Sequence, residues 1–233
     1  MTPAVTEILI EVCVASCASA AAALEAGADR LELNSALELD GLTPQVELVQ
    51  WVIEQSTIPA IAMARPRAGD FCYSSAEWTN LLADAESLLA AGATGIAFGV
   101  LTKCCQVDVS RCVEMRKLAG NAELVFHKAF DEVHGPELAL ERLIDTGIQR
   151  VMTSGLSPTA MTGAAVISQL IQQSQGRIEI LPAGRINAGN GPELVAQTGC
   201  RQLHGSFGRN PERSMGEEIR LLKNRLLSRS VVG

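Results

Sequence analysis

The sequence predicts a single (β/α)8 barrel, the TIM-barrel architecture, over residues 1–233. A recurring transition carries this prediction: a helix-like segment ends in glycine and a β-like segment starts a few residues later, at Gly27, Gly92, Gly147 and Gly199. Each glycine stands where a helix needs a left-handed residue before the chain turns into a strand. The intervals of roughly 50 to 65 residues leave room for two strand–helix units each. Four such double units give the eight strands of a closed barrel.

Short apolar segments supply the remaining strands. Segment 8–14 is an apolar run of the kind that forms a buried parallel strand, and the segments at 59–64, 123–127 and 177–181 each follow a predicted helix. The predicted strands lie at residues 7–14, 30–34, 59–64, 95–100, 123–128, 149–154, 178–182 and 202–206.

Helices fill the gaps between these strands. We expect Thr43 to cap one helix with Pro44 at its first position, Ser75 to cap another, and Pro136 to open a third. The last helix is predicted at about 212–228. No linker or low-complexity segment divides the chain, and the regular double units favour a closed barrel over a doubly wound open sheet.

The composition argues against several classes of function. A net charge of −7 and an aromatic content of 3% disfavour nucleic acid binding, because the chain has neither a basic tract nor enough rings for a stacking surface. No apolar run is long enough to cross a bilayer and no cleavable leader is recognisable, so we expect a cytoplasmic protein without a membrane partner. The seven cysteines include no CxxC pair and are expected to be reduced thiols.

Acidic side chains stand on the first two predicted strands. Alternation places Glu11 and Cys13 on one face of the first strand, and Glu32 and Asn34 on one face of the second. If these faces point inward, two carboxylates lie low in the barrel mouth, the end at which this fold carries its functional groups. Buried acids need partners, so a cationic group is expected beside them.

Candidate partners and acid–base groups follow the third and fifth strands. Arg65 and Arg67 are the expected partners of the acids, either in a network that only orients the barrel or in a ligand site that uses the same network. His127 is a candidate general acid/base tuned by a carboxylate, or a histidine that is only hydrogen-bonded. Lys128 could form a Schiff base only if it were desolvated. The predicted catalytic set is Glu11, Glu32, Arg65, Arg67, Asp70, His127 and Asp131.

Small polar residues end the last three strands and suggest an anion site. Glycines expose backbone N–H groups, and barrels commonly bind phosphate with the loops after strands seven and eight. Small residues also serve simply to make turns, so the pattern is not diagnostic. The predicted anion-binding residues are Thr153, Ser154, Gly155, Gly184, Arg185, His204 and Ser206.

The cysteines offer one candidate metal ligand. No spacing of cysteine and histidine matches a structural zinc site. Thiolates and thioethers are the ligands that Cu(I) prefers, so Cys13 at the mouth is a candidate ligand with Cys17, Cys72 or Met63 as helpers.

The strand ends, taken together, resemble the CutC family of copper homeostasis proteins. The similarity is collinear from about residue 8 to residue 208 and rests on the segments Glu11-Val12-Cys13-Val14, Gly27-Ala28-Asp29-Arg30-Leu31-Glu32-Leu33, Gly41-Leu42-Thr43-Pro44, Arg65-Pro66-Arg67-Ala68-Gly69-Asp70-Phe71, Phe126-His127-Lys128-Ala129-Phe130-Asp131, Thr153-Ser154-Gly155 and His204-Gly205-Ser206. The resemblance implies a cytoplasmic (β/α)8 barrel, a homodimer, and Cu(I) binding linked to a pair of cysteines.

This chain departs from the family pattern where copper binding is concerned. Cys13 matches the first cysteine, but the second position of the pair holds Asn34, whose amide oxygen is a hard ligand. Arg185 stands where the family has a small residue, and it adds a positive charge beside the predicted anion site.

Two hypotheses of function follow. The first is a CutC-like protein of copper homeostasis that binds Cu(I) through Cys13 without turnover. The second is a barrel enzyme that acts on a small anionic or phosphorylated metabolite, held by Arg65 and Arg67, with His127 or a carboxylate moving a proton.

Overall fold

The computed structural model describes residues 8–208 and 213–230, and within them the chain forms a parallel eight-stranded barrel. The strands pair in the order β7-β6-β5-β4-β3-β2-β1-β8, and a bridge between Ala183 and His204 joins the two ends. The predicted fold class is confirmed. The strands are β1 Leu9–Val14, β2 Arg30–Leu33, β3 Ala60–Met63, β4 Gly95–Phe98, β5 Glu123–Phe126, β6 Arg150–Thr153, β7 Glu179–Pro182 and β8 Gln202–Gly205.

Eight α-helices in the described ranges surround the barrel. They are α1 Cys17–Glu25, α2 Val46–Gln55, α3 Ser75–Ala90, α4 Val109–Ala119, α5 Pro136–Asp145, α6 Ala164–Ser174, α7 Gly191–Thr198 and α8 Met215–Ser230. Short 3-10 turns follow β2 and β5, at Leu37–Leu39 and Lys128–Glu132. Residue 212, the predicted start of the last helix, lies outside the described residues, and α8 begins at Met215.

The predicted helix starts are partly wrong. Pro136 opens α5 as expected, but Ser74 rather than Ser75 caps α3, in a reciprocal capping box with Glu77. Helix α2 begins two residues later than predicted because the Thr43 hydroxyl is used elsewhere: it accepts the backbone N–H of Arg65 at 3.0 Å.

The glycines that led to the fold prediction have the predicted geometry. Gly27, Gly92, Gly147 and Gly199 all have positive φ angles, of 81°, 104°, 73° and 71°. At the first of them, Ala28 N–H donates to Ala23 O at 3.0 Å and closes the helix end. A residue with a β-carbon would be strained in this conformation, which explains the repeated glycine.

The interior of the barrel has an apolar part and a polar part. Seven buried apolar side chains from β3 to β7 and their ends pack inside it: Ile61, Met63, Ala97, Val125, Met152, Leu181 and Ala183. On β1, β2 and β8, by contrast, the buried side chains include five polar ones: Glu11, Arg30, Glu32, Gln202 and His204. Most of the buried charge on the strands therefore lies on the first, second and last of them, and Arg150 on β6 adds one more buried charge. No helix in the described ranges is both long and apolar enough to cross a membrane.

Candidate functional site

A hydrogen-bonded network crosses the polar part of the barrel and is centred on Glu11. The Arg30 Nε–H donates to the Glu11 carboxylate, and Arg30 Nη2 donates to Gln202 Oε1 at 2.7 Å. Gln202 Nε2 in turn donates to Glu179 Oε2 at 3.0 Å. Burial by itself raises the pKa of Glu11, but Arg30 and His204 outweigh it and lower that pKa to about 2. Glu11 is therefore ionised at neutral pH.

His204 connects this network to the mouth. Its Nδ1 lies 2.8 Å from Glu11 Oε1, and its Nε2 lies 3.7 Å from Glu32 Oε2. Because an ionised carboxylate only accepts hydrogen bonds, Nδ1 must carry the proton that joins it to Glu11. Burial lowers the pKa of His204, but the Glu32 and Glu11 carboxylates raise it by a larger amount. The net shift of this pKa is therefore upward. The imidazole is thus fixed with its Nε2 toward Glu32.

Cys13, Glu32 and His204 form a compact, buried cluster. One ligand atom from each lies within 4.8 Å of the others. Strand register explains the convergence: Cys13 is opposite Glu32 across β1 and β2, and Glu11 is opposite His204 across β1 and β8. Strand alternation predicted shared faces for Glu11, Cys13 and Glu32, and the structure brings these side chains together with that of His204.

Asn34 holds two of the cluster residues in place. Its Nδ2 donates to Cys13 Sγ at 3.2 Å and to Glu32 Oε2 at 2.9 Å. Cys13 is also hydrogen-bonded to the Glu32 carboxylate, whereas Glu32 Oε1 has no hydrogen-bond partner among the described residues. Burial is the largest effect on Glu32 and raises its pKa. The cluster therefore contains a buried carboxylate oxygen with no partner in the part of the chain that the structure describes, next to a thiol and an imidazole.

Arg65 and Arg67 do not pair with the acids as predicted. Arg65 is buried, and its guanidinium donates to backbone carbonyls, including those of Gly41 and Gly69, both at 3.2 Å. Arg67 is half-exposed and pairs with Glu77 at 2.5 Å and Asp70 at 3.1 Å. These arginines order the loops after β2 and β3. The partner of Glu11 is Arg30, which the prediction missed although it shares the parity of Glu32 on the second strand.

Asp131 occupies part of the predicted anion site with its own carboxylate. It accepts hydrogen bonds from Thr153 Oγ1 at 2.5 Å, from the Ser154 N–H at 3.0 Å and hydroxyl at 2.8 Å, and from the Leu156 N–H at 3.1 Å. Gly155 has a left-handed φ of 72° that allows this loop to curl around the carboxylate. The segment after β6 does present hydrogen-bond donors, but the Asp131 carboxylate of the same chain accepts from them.

His127 lacks the carboxylate partner that we expected. Its Nδ1 accepts the Ala129 N–H at 3.0 Å, so the proton of the neutral ring is on Nε2, which has no partner among the described residues. The ring lies over Gly99 and 5.0 Å from the Phe71 ring, measured between centroids. Burial, helped by the charge of Arg65, lowers the pKa of His127 to about 3. Lys128 is exposed and lacks the desolvation that a Schiff-base lysine needs.

The other predicted site residues lie around the mouth without joining the cluster. Gly184 is half-buried beside Ser154, Arg185 is exposed, and Ser206 is half-buried after β8. Asp70 is exposed on its loop. The predicted helper ligands are also separate from the cluster: Cys17 is exposed at the start of α1, Cys72 is partly buried, and Met63 belongs to the apolar interior. The residues that the structure places beside Cys13 are instead Glu32 and His204.

Comparison with known proteins identifies relatives over most of the chain. The model of the CutC family matches residues 8–209. A CutC family protein of Treponema denticola is 43% identical over 197 residues, which cover 84% of this chain and 80% of that protein. The copper homeostasis protein cutC homolog of Homo sapiens is 40% identical over 196 residues, covering 84% of this chain and 72% of that protein.

Solved structures agree with this similarity. The putative copper homeostasis protein CutC from Streptococcus agalactiae superposes with a TM-score of 0.81 at 25% identity, covering 85% of this chain and 98% of that one. A phosphoribosylanthranilate isomerase from Thermotoga maritima superposes with a TM-score of 0.61 at 11% identity, covering 95% and 99% of the two chains, and shows a shared fold alone.

Proposed function

The chain belongs to the CutC family, and on this premise we propose that it serves copper homeostasis by binding copper(I) at the barrel mouth through Cys13 and His204. The observation that carries the proposal is the convergence of Cys13, Glu32 and His204, each offering a ligand atom within 4.8 Å of the others. Copper is the cargo in this proposal, held in a buried centre that excludes competing ligands.

The donor chemistry fits copper(I) in part. A thiolate and an imidazole nitrogen are both suitable ligands for this ion, and the pair can hold it. Asn34, at the position of the family's second cysteine, cannot add a second thiolate. We therefore expect a site that is weaker than one built from two cysteines.

The neighbouring residues support His204 as a ligand. Metal-binding histidines usually donate their second ring N–H to a carboxylate, which fixes the orientation of the ring. Glu11 provides this contact at 2.8 Å, and Arg30 holds Glu11 in turn. The Asn34 amide donates to Cys13 Sγ and stabilises negative charge on the sulfur.

An anaerobic Cu(I) titration against a chelator of known affinity tests the proposal. We expect one copper ion per chain in the wild type, and loss of this binding in Cys13→Ser and His204→Ala because each removes a ligand. Cys104→Ser, which changes an exposed thiol, is the matched control and should bind copper like the wild type. Binding that survives Cys13→Ser would refute the barrel mouth as the copper site.

The proposed function includes a cellular compartment, the cytoplasm, and an oligomeric state, the homodimer. None of the seven cysteines forms a disulfide in the described residues, which supports a reducing compartment such as the cytoplasm. The homodimer stays a prediction from the family resemblance; the exposed Val109 and Val113 on α4 and Leu138 on α5 offer apolar surface for it.

A second candidate function is binding of a small anionic metabolite at the same mouth. Arg65 Nε and His127 Nε2 are buried N–H donors without a hydrogen-bond partner in the described ranges, and both side chains pack on Phe71. Buried donors of this kind normally have partners, so an anion that accepts from both would satisfy them.

Histidine NMR tests this second candidate with inorganic phosphate as the probe. We expect the His127 Nε2 resonance to shift and saturate as phosphate is added, because the new hydrogen bond changes its environment. Chloride at equal ionic strength controls for salt. A His127 resonance that stays unchanged throughout the phosphate titration would exclude phosphate binding at these donors.

A further inference from the structure

Glu32 gives the barrel-mouth cluster a ligand that copper(I) does not need. The three residues Cys13, Glu32 and His204 offer one sulfur, one oxygen and one nitrogen donor within 4.8 Å of one another. Three protein ligands of these types around an open fourth position are typical of mononuclear zinc sites. We infer that the Cys13–Glu32–His204 cluster also binds zinc(II), with Glu32 as the ligand that distinguishes the divalent ion from copper(I). The inference rests on the proposed function in so far as the cluster must bind metal.

The charges of the cluster favour a divalent ion. A Cys13 thiolate and an ionised Glu32 together carry two negative charges, while the neighbouring Glu11 is already paired with Arg30. A divalent cation cancels the two charges, whereas a monovalent cation leaves one carboxylate uncompensated. An uncompensated charge is costly where all three cluster residues are buried.

The hydrogen bonds leave one ligand atom available on Glu32. Its Oε2 accepts from Asn34 at 2.9 Å, which fixes the carboxylate, and its Oε1 is buried with no hydrogen-bond partner in the described part of the chain. His204 is arranged in the same way, with Nδ1 held by Glu11 and Nε2 on the side of Glu32. Hydrogen bonds to the atom of a ligand side chain that does not bind the metal orient that side chain and raise the affinity of the site for metal.

Asn34 shapes the selectivity of the cluster. A second thiolate at this position would add a soft donor and favour copper(I). The amide instead donates to Cys13 Sγ and Glu32 Oε2, and so stabilises a hard and a soft ligand together. A mixed set of this kind suits zinc(II), which accepts sulfur, nitrogen and oxygen ligands.

Parallel anaerobic titrations with zinc(II) and copper(I), each against a competing chelator, test the inference. We expect stoichiometric zinc binding that Glu32→Gln weakens by about tenfold or more, because the amide removes a charged ligand. The same substitution should leave copper(I) affinity within about threefold of the wild type, because Cys13 and His204 remain. Glu141→Gln, at an exposed carboxylate paired with Arg177, is the matched control.

X-ray absorption at the zinc edge gives a second measurement on the wild type that does not depend on a variant. We expect one sulfur at about 2.3 Å and nitrogen or oxygen ligands at about 2.0–2.1 Å. Two or more sulfur ligands, or zinc affinity unchanged in Glu32→Gln, would overturn the inference. Copper(I) bound through Cys13 without zinc binding overturns it too but leaves the proposed function standing. Zinc binding without copper(I) binding would support the inference and overturn the proposed copper(I) function. Binding of neither metal would overturn both.

Discussion

Replacing Arg30 with methionine is expected to lower the free energy of unfolding by about 3–5 kcal/mol near neutral pH. The guanidinium is the main group that compensates the charge of Glu11, and both side chains are almost completely buried, with exposed fractions of 3% and 1%. Removing one partner of a buried pair leaves the other charge without compensation. Urea denaturation followed by circular dichroism measures the loss.

Two further variants separate charge from lost packing. Arg177→Met breaks an exposed pair with Glu141 and should lower stability by less than about 1 kcal/mol. Adding Glu11→Gln to Arg30→Met removes the stranded charge and should restore part of the loss. An Arg30→Met variant as stable as Arg177→Met would show that Glu11 does not depend on this ion pair.

Acid is expected to destabilise the barrel through His127. Burial first, and then the charge of Arg65, holds the pKa of this histidine at about 3, against an ordinary value of 6.5. Between these two pH values the unfolded chain binds a proton here and the folded chain does not, so stability falls as the pH falls. The full effect approaches about 4–5 kcal/mol at the lower end of the window, at about 1.4 kcal/mol per pKa unit.

The difference between the wild type and His127→Gln isolates this effect. Glu32 and His204 have raised pKa values and contribute with the opposite sign, while the loss of stability from Glu11 falls mainly below pH 4.5. Thermal unfolding from pH 6.5 down to pH 4.5 should therefore show a shallower loss in His127→Gln. His134→Gln, at an exposed histidine, is the control. Identical pH profiles for His127→Gln and the wild type would contradict a neutral buried His127.

The sequence allowed the barrel and part of the site to be predicted for local reasons. Glycine at the helix ends and short apolar runs mark the strands, and alternation along β1 and β2 put Glu11, Cys13, Glu32 and Asn34 on inward faces. His204 was predicted only as one of the anion-binding residues. Its role beside Glu11 depends on the pairing of β1 with β8, which joins the two ends of the barrel.

What the sequence did not allow depends on contacts between distant loops. The hydroxyl of Thr43 was expected to cap a helix, but it accepts a hydrogen bond from the Arg65 N–H in the loop after β3. Asp131 reaches the turn after β6 because a 3-10 turn at Lys128–Glu132 redirects the chain. No periodic pattern in the sequence predicts that 3-10 turn. Arg65 binds backbone carbonyls of two loops, a type of partner that residue identity does not reveal.

The pairing of β1 with β8 completes the Cys13–Glu32–His204 cluster only after the last strand has been synthesised. Glu11 and His204 touch although 193 positions separate them in the chain, so a nascent polypeptide that still lacks β8 has only the Cys13 and Glu32 part of the cluster. If the cluster binds metal as we propose, the ion enters after the last strand has docked. A bound ion would in turn fasten the first strand to the last, and would stabilise the finished barrel over any precursor that cannot bind it.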